Sequence, residues 1–167
     1  ERKQYYRRIE EMSLYQYQQQ AKEHLQQWKV GALFMEAGTG KTRVSCELVN
    51  SVPELDLVVW FAPLRTIKSP AGIASVIDEV NKWSDFKCNT LFVGIESIGS
   101  SDRKYLEVLQ QIKEARKPFV IVDESIKIKN MTAKRTRRLL EISKYAEYKL
   151  ILNGTPLSKN LLDLWAQ

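Results

Sequence analysis

The chain has 167 residues, of which 44% are hydrophobic and 28% charged, and its formal net charge at pH 7 is +6. This length suits one domain with its own core, and the composition excludes disordered and fibrous chains, while the basic excess is compatible with a polyanionic partner without requiring one. No apolar run approaches the roughly 20 residues of a membrane span, and the first residues lack the apolar core of a signal peptide, so we expect an intracellular (cytoplasmic) protein with no membrane contact.

Residues 1–30 are predicted to form a helical segment. Their apolar side chains recur at three- or four-residue steps, the spacing of one helix face: Leu14, Tyr17, Ala21, Leu25 and Trp28. From residue 31 onward, short apolar runs alternate with longer amphipathic stretches. Near-continuous apolar runs are typical of strands buried on both faces of a parallel sheet. The predicted strands are 32–35, 57–62, 90–93, 119–122 and 149–152, and the predicted helices are about 41–50, 73–83, 103–116, 133–146 and 159–166.

The repeated strand-helix order predicts the fold class. Each predicted helix is long enough to connect two parallel strands. We therefore expect an α/β domain over residues 31–167, with a mostly parallel sheet flanked by helices on both faces.

Cysteine and histidine are too sparse to build a metal cluster or a histidine-based catalytic triad. Cys46 and Cys88 lie far apart and outside any CxxC spacing, and His24 is the only histidine. We expect both cysteines to be small buried hydrophobes.

A phosphate-binding loop follows the first predicted strand. The sequence Met35-Glu36-Ala37-Gly38-Thr39-Gly40-Lys41-Thr42, here called the phosphate loop, ends in the Gly-Lys-Thr of a Walker A motif. Gly38 and Gly40 allow a turn whose backbone N–H groups face a phosphate chain at the positive end of the next helix. Lys41 would reach the β- and γ-phosphates of ATP, and the Thr42 hydroxyl would bind Mg²⁺. Met35 stands where the strict pattern has its first glycine, so a glycine turn that only caps a helix is the alternative.

Two acids follow the fourth predicted strand. Asp123 and Glu124 would lie at the carboxyl edge of the sheet, where ligands of open α/β sheets collect and where the phosphate loop is also expected. We predict that Asp123 holds Mg²⁺ and that Glu124 is the catalytic base that orients the attacking water. Alone, the pair could equally cap the helix that follows; together with the phosphate loop it predicts a nucleotide site.

Five short blocks occur in a recognisable order: Leu14–Gln18, the phosphate loop, Trp60–Leu64, Asp123–Asn130 and Leu152–Leu157. Together they resemble the first RecA-like lobe of the superfamily-two helicases, and among these the Swi/Snf-type ATPases, including their small phage-encoded relatives. The Ile-Lys-Asn that ends the fourth block is its most diagnostic part. The resemblance implies a RecA-like P-loop NTPase fold with ATP and Mg²⁺ as cofactors.

The resemblance also implies roles for single residues. Gln18 would read adenine, because an amide can donate to and accept from the adenine edge. Pro63 and Ser97 would lie against nucleic acid, and Gly154, Thr155 and Pro156 would couple the nucleotide state to that contact. Two residues depart from the family pattern: Ile126 replaces the usual histidine, which puts this coupling in doubt, and Asn153 replaces a frequent threonine.

Basic residues are concentrated after the acid pair. Six lysines and arginines and no acid occur between Lys127 and Arg138. A solvated helix face is the usual explanation of such a run, but a protein that follows a nucleic-acid backbone needs positive side chains near its ATP site. We predict phosphate contacts from Lys129, Arg135 and Arg138.

The sequence thus predicts the ATP-binding lobe of a DNA-dependent ATPase that couples Mg²⁺-dependent hydrolysis to movement on duplex DNA, with Lys41 and Glu124 as its catalytic residues. No second-lobe block follows before Gln167, so we expect hydrolysis to need a second RecA-like lobe of the same polypeptide and the 167 residues alone to hydrolyse little ATP. A non-motor docking module for nucleic acid or protein is the alternative. Among other P-loop enzymes, a GTPase would need an Asn-Lys-x-Asp motif, which the sequence lacks, and a small-molecule kinase would need a lid and an acceptor pocket.

Overall fold

The structure is a computed structural model that describes residues 13–154. Strands and helices alternate along this part of the chain, as the sequence pattern predicts. In chain order they are α1 (Gln16–Leu25), β1 (Val30–Phe34), α2 (Lys41–Asn50), β2 (Leu57–Ala62), α3 (Leu64–Ile67), α4 (Val76–Trp83), β3 (Asn89–Gly94), α5 (Ile95–Ser100), α6 (Asp102–Glu114), β4 (Pro118–Val122), a 3₁₀ turn (Ser125–Ile128), α7 (Lys134–Ser143) and β5 (Tyr148–Asn153).

The strands form one parallel sheet in the order β1-β5-β4-β2-β3. The predicted α/β fold is therefore confirmed. Because the pairing is parallel, the carboxyl ends of all five strands meet at one rim of the sheet. At that rim Phe34 pairs with Asn153 and Val122 pairs with both Ile151 and Phe61. The loops that follow β1, β5, β4 and β2 are therefore neighbours.

Hydrophobic clusters cover both faces of the sheet. Adjacent residues of β2 point to opposite faces, as a strand requires: Trp60 belongs to one cluster with Val44 of α2 and Val80 of α4, whereas Phe61 belongs to the other. The second cluster includes residues of α5, α6 and α7. All six residues of β2 are buried, which explains why this strand appears in the sequence as an uninterrupted apolar run.

The predicted element bounds agree with the structure where the pattern is long. Strand 57–62 and helix 41–50 have the predicted bounds, and β3, β4 and β5 extend one residue further than predicted at one or both ends. Strand β1 begins two residues earlier and ends one residue earlier than predicted. Sequence periodicity missed α3, α5 and the 3₁₀ turn, because elements of four to six residues hold too few turns to show a period. The predicted helix 159–166 and residues 1–12 of the predicted N-terminal segment lie outside the described residues.

The predicted apolar stripe of α1 is only partly correct. Ala21 and Leu25 pack against the first cluster. Trp28 is 62% exposed and lies beyond the end of the helix, and Tyr17 is 47% exposed, because it lines a cleft beside the phosphate loop. No helix among residues 13–154 is both long and apolar enough to span a membrane.

The two cysteines differ in burial, which predicts different reactivity. Cys46 is buried in α2, and burial raises the pKa of its thiol to about 12, whereas Cys88 is only half-buried. The thiolate is the reactive form. In the folded chain at neutral pH we expect a thiol reagent to modify Cys88 and to reach Cys46 only as fast as the chain unfolds. The Cys88→Ser variant should therefore be labelled only slowly, at the rate of unfolding. Rapid labelling of that variant would contradict the burial of Cys46.

Candidate functional site

The phosphate loop connects β1 to α2 at the carboxyl rim. Gly38 and Gly40 adopt φ angles of 79° and 88°, a left-handed conformation that favours glycine, and α2 begins directly afterwards. The Lys41 ammonium lies over the loop itself, where Nζ donates hydrogen bonds of 2.8 Å to the Met35 carbonyl and 3.0 Å to the Glu36 carbonyl. The lysine that would meet a phosphate chain is thus already held above the turn.

Gln18 attaches helix α1 to the phosphate loop. Its side chain is 3% exposed; Nε2 donates to the Thr39 carbonyl at 2.9 Å, and Oε1 accepts from the Tyr15 backbone N–H at 3.0 Å. The Tyr17 hydroxyl donates to the same Thr39 carbonyl at 3.2 Å. An amide has two N–H hydrogens and one oxygen with two acceptor lone pairs, so these contacts of Gln18 use one of its hydrogens and one of its lone pairs.

The contact between Gln18 and the loop makes a testable distinction between the two left-handed glycines. A β-carbon on Gly40 would lie 2.4 Å from Gln18 Nε2, whereas one on Gly38 would meet nothing within 4 Å. Gly38→Ala should lower the free energy of unfolding by about 1–2 kcal/mol through backbone strain alone. Gly40→Ala should cost about 1 kcal/mol more, because the buried amide must move and lose its hydrogen bond.

Urea unfolding of the two variants measures this difference. In a Gln18→Ala background the excess cost of Gly40→Ala should disappear, since the clash is then removed. Equal losses for Gly38→Ala and Gly40→Ala in the unmodified background would show that the amide does not hold the loop.

The acid pair stands at the same rim, directly after β4. The Asp123 N–H donates to the Phe61 carbonyl at 2.7 Å, and Asp123 Oδ1 accepts from the Glu124 N–H at 2.8 Å. Burial raises the pKa of Asp123 to about 6, and the Glu124 charge acts in the same direction, whereas the hydrogen bond from the Glu124 N–H and the Lys41 ammonium act against it. A buried carboxylate of this kind is stabilised by a nearby cation.

The phosphate loop, the acid pair and the end of β5 lie side by side. The Met35 N–H donates to the Asn153 carbonyl at 3.1 Å, and a β-carbon on Gly154 would lie 3.7 Å from the Met35 carbonyl oxygen. The Lys41 ammonium is close enough to Asp123 to influence its pKa. The two predicted motifs therefore share one rim of the sheet.

Glu124 has an unusual backbone and a specific partner. Its φ and ψ are 49° and 51°, in the left-handed region that few non-glycine residues adopt. Its carboxylate contacts the Arg65 guanidinium, with Nη2 at 3.2 Å from Oε2 and 3.4 Å from Oε1. The side chains of Arg65 and Glu124 are 72% and 34% exposed.

A cleft of about 560 Å³ opens beside the phosphate loop. The Arg43 guanidinium lies 4.3 Å from the centre of the Trp83 ring, a cation-π distance, and both line the cleft. Tyr15 and Tyr17 also line the cleft, and their rings stack with the ring centres 5.8 Å apart. The cleft thus combines flat side chains with the loop that would hold phosphates, and it is lined by Tyr15, Tyr17, Gln18, Gly38, Thr39, Gly40, Lys41, Thr42, Arg43, Glu79 and Trp83.

The donor set fits a magnesium ion that is shared with a nucleotide. Thr42 lies in the first turn of α2, and Asp123 stands at the same rim. Within residues 13–154 no group of three or more His, Cys, Asp or Glu side chains could hold a metal ion by itself. Mg²⁺ commonly takes one or two protein oxygens and completes its shell with phosphate oxygens and water, so a hydroxyl and a carboxylate suffice.

The residues predicted to contact nucleic acid lie in different environments. Pro63 is buried ahead of α3, Ser97 is half-buried in α5, and Lys129 is half-buried at the end of the 3₁₀ turn. Arg135 Nε donates to the Lys127 carbonyl at 3.0 Å.

Arg138 is engaged inside the lobe. Its guanidinium donates to the Ile98 carbonyl at 2.9 Å, pairs with Asp102 and lies 4.6 Å from the centre of the Tyr105 ring. Hydrogen bonds from Arg138 and Lys134 lower the pKa of Asp102 to about 2. These contacts join α7 to α5 and α6, so part of the basic run serves the fold.

The predicted coupling motif is only partly within the described residues. Gly154 lies against the phosphate loop, while Thr155 and Pro156 lie outside the described range. Asn153 is 5% exposed, and among residues 13–154 its Nδ2 has no hydrogen-bond partner. Ile126, in place of the histidine expected from the resemblance, is half-buried in the 3₁₀ turn that packs near β5.

A family model described as the SNF2-related domain matches residues 78–167, more than half of the chain. The chain belongs to the SNF2-related family. The expected likeness to the first lobe of a Swi/Snf-type superfamily-two ATPase is thereby confirmed. The matched residues contain the acid pair and the Gly154 segment, and they begin after the phosphate loop.

Relatives of this SNF2-related chain extend the match to the phosphate loop. The helicase swr1 of Schizosaccharomyces pombe is 39% identical over 157 aligned positions, which cover 81% of this chain and 12% of the relative. Wherever it begins, a stretch covering 81% of the chain includes both the phosphate loop and the acid pair. The SWI/SNF chromatin-remodeling complex subunit snf22 of the same yeast is 33% identical over 121 positions, 71% of this chain and 6% of the relative.

A mammalian relative has a similar extent. The helicase-like transcription factor of Mus musculus is 28% identical over 118 positions, which cover 71% of this chain and 10% of the relative. The chain therefore spans a small part of each of these relatives. They come from a fungus and a mammal, and they give no support to the expected likeness to phage-encoded proteins.

Sequence reasoning missed several side chains of this SNF2-related site. Arg65, Arg43 and Trp83 had no assigned place in it, although Arg65 directly follows the Trp60–Leu64 block and Arg43 directly follows the Gly-Lys-Thr. Adjacency to a motif was the available signal. The contact of Arg65 with Glu124 depends on the order of strands in the sheet, and that of Arg43 with Trp83 depends on helix packing; neither was predicted.

Proposed function

We propose that this chain is the ATP-binding lobe of a DNA-dependent ATPase, and that the full-length protein couples Mg²⁺-dependent ATP hydrolysis to movement on duplex DNA. The observation that carries the proposal is the shared rim, where the lysine of the phosphate loop acts on the pKa of a buried aspartate. That arrangement suits a magnesium-triphosphate, because one side supplies cationic and N–H groups and the other supplies carboxylates.

Each group at the rim has a separate task in this proposal. Gln18 presents its amide to adenine, and the phosphate loop turns backbone N–H groups toward the phosphates. Lys41 leaves the Met35 and Glu36 carbonyls to neutralise charge that develops on the γ-phosphate. Thr42 and Asp123 hold the magnesium ion, which supplies Lewis-acid stabilisation of the phosphate oxygens when bound. Glu124 orients the attacking water and accepts its proton.

We propose that nucleic acid lies against the segments that carry Pro63, Ser97 and Lys129, with the exposed side chains next to the buried Pro63 making the contact. The loops that carry Pro63 and Ser97 are joined by a 2.9 Å hydrogen bond from the Leu64 N–H to Glu96 Oε2, which supports a common surface. Arg135 and Arg138 support that surface by holding the segments beneath it, and their internal contacts leave them less suited to phosphate binding than the sequence alone indicated. Gly154, Thr155 and Pro156 are proposed to transmit the nucleotide state to this surface.

A second RecA-like lobe of the same polypeptide is proposed to complete the site with arginines that stabilise the γ-phosphate. The 167 residues alone should then hydrolyse little ATP. An intracellular location is part of the same proposal, since the relatives include a subunit of a chromatin-remodeling complex.

Phosphate release by the full-length protein, measured with and without duplex DNA, tests the proposal. We expect magnesium-dependent turnover that DNA increases. Binding of ATP without turnover under either condition would instead support a docking module. Equal stimulation by single-stranded DNA or RNA would contradict the duplex DNA specificity.

A further inference from the structure

One ion pair joins the catalytic rim to the surface on which nucleic acid is proposed to lie. Arg65 belongs to α3, immediately beyond Pro63, and its Nη2 contacts both carboxylate oxygens of Glu124. The two residues are 59 positions apart in sequence, and the pairing of β2 with β4 brings their loops together. Among residues 13–154 the Arg65 guanidinium has no other hydrogen-bond or ion-pair partner.

The pair occupies the group that hydrolysis needs. A carboxylate has about four acceptor positions, and it can act on a water molecule only when its oxygens point toward that water. Here both oxygens of Glu124 face one guanidinium nitrogen, at 3.2 and 3.4 Å, and their charge is compensated. While the contact persists, Glu124 is directed toward Arg65 instead of toward a water beside the phosphate loop.

The geometry also makes the pair easy to exchange. Only Nη2 contacts the carboxylate, so the fork of two parallel N–H bonds that strengthens arginine-carboxylate pairs is absent. The Arg65 side chain is 72% exposed, and exposed ion pairs contribute little. A phosphodiester offers a guanidinium the same planar pair of acceptor oxygens, and arginine is a common phosphate ligand.

The backbone around Arg65 is anchored, and its side chain is exposed. The hydrogen bond from the Leu64 N–H to Glu96 ties the start of α3 to α5, and the Thr66 hydroxyl donates to the Pro63 carbonyl at 2.8 Å. The exposed Arg65 side chain is thus mounted on an anchored turn, from which it can reach either Glu124 or a ligand at the surface.

We propose that Arg65 is a positioning residue that holds Glu124 in a resting orientation, and that a nucleic-acid phosphate releases Glu124 by taking over the guanidinium. This inference rests on the proposed function and gives it a mechanism of activation: the site turns over slowly until a backbone phosphate binds at α3.

The full-length protein with Arg65→Ala tests the inference. Turnover without DNA should rise about two- to five-fold, the range set by the weak stability of an exposed ion pair. The stimulation by duplex DNA should shrink by at least the same factor. The KM for ATP should stay unchanged, since Arg65 does not line the nucleotide cleft. Arg65→Lys keeps the charge with a single ammonium and should give a smaller rise.

Lys68→Ala is the matched control. Lys68 is exposed at the end of α3, so the variant removes the same charge from the same segment without touching Glu124. It should leave the DNA-free rate unchanged. A DNA-free rate that stays constant or falls in Arg65→Ala would overturn the inference, even if DNA binding weakens, because Arg65 would then act only as a phosphate contact or a support.

A double variant separates the failure of this inference from the failure of the proposed function. Lys41→Ala added to Arg65→Ala should remove the raised turnover. If turnover persists in the double variant, the ATPase lies elsewhere and the proposed function fails. If Lys41→Ala removes turnover but Arg65→Ala alone never raises it, only the resting pair is wrong.

Discussion

Lys41→Ala in the full-length protein should reduce ATP turnover by at least about 100-fold, with or without DNA, because an ammonium that meets developing phosphate charge is among the largest single contributions to such catalysis. The fold should tolerate the change. Among residues 13–154, Lys41 Nζ donates only to the Met35 and Glu36 carbonyls of its own loop, and these groups of a half-buried and an exposed residue can bind water instead. Phosphate release measures turnover, and thermal unfolding checks the fold.

Lys29→Ala supplies the control for that variant. Lys29 precedes β1 at the opposite end of the strand, where it pairs with Glu147 at 2.7 Å. The control removes the same charge at the other end of β1 from the phosphate loop and should leave turnover within about two-fold, since an exposed pair contributes little. Comparable rates in Lys41→Ala and Lys29→Ala would remove the phosphate loop from the mechanism.

Glu124→Gln is expected to separate ATP binding from hydrolysis. The amide is nearly isosteric with the carboxylate and can still accept a hydrogen bond, but it cannot accept the proton of the attacking water at neutral pH. Turnover should fall by about 10²- to 10⁴-fold, the range of general-base catalysis, while the Kd for ATP with magnesium changes little. Nucleotide binding by equilibrium titration and phosphate release provide the two measurements.

The chain contains a close control for this variant. Glu54 has a φ of 59° and shares the left-handed backbone of Glu124, but it precedes β2, at the rim opposite the site. Glu54→Gln should therefore show how much the free energy of unfolding changes when a glutamate with this backbone becomes a glutamine, and it should leave turnover unchanged. Loss of ATP binding in Glu124→Gln, together with its retention in Glu54→Gln, would assign Glu124 to binding instead of to the hydrolytic step.

The sequence predicted the parts of the fold that repeat over many residues. Strand 57–62 could be placed because β2 is buried on both faces, and helix 41–50 because it follows the phosphate loop. The shared rim of the two motifs followed from the rule that parallel strands end together. Short elements such as α3 and α5 were missed, since one or two turns show no period.

Contacts between loops could not be predicted, because they depend on strand order. Arg65 meets Glu124 only because β2 lies next to β4, and an alternation of strands and helices is compatible with several orders. Likewise, counting charges between residues 127 and 138 could not show that Arg138 is engaged with Asp102 and the Ile98 carbonyl. A run of basic residues in a sequence indicates a positively charged segment, but packing determines which of its arginines have partners inside the fold.

The position of β5 has a mechanical consequence. This strand is inserted between β1, which leads into the phosphate loop, and β4, which ends in the acid pair. The Met35 N–H is bonded to the Asn153 carbonyl at its tip, so a displacement of the loop relative to the carboxylates acts as shear on that tip. A shift of the phosphate loop would therefore strain the backbone at Gly154, the first residue of the segment that we propose to transmit the nucleotide state.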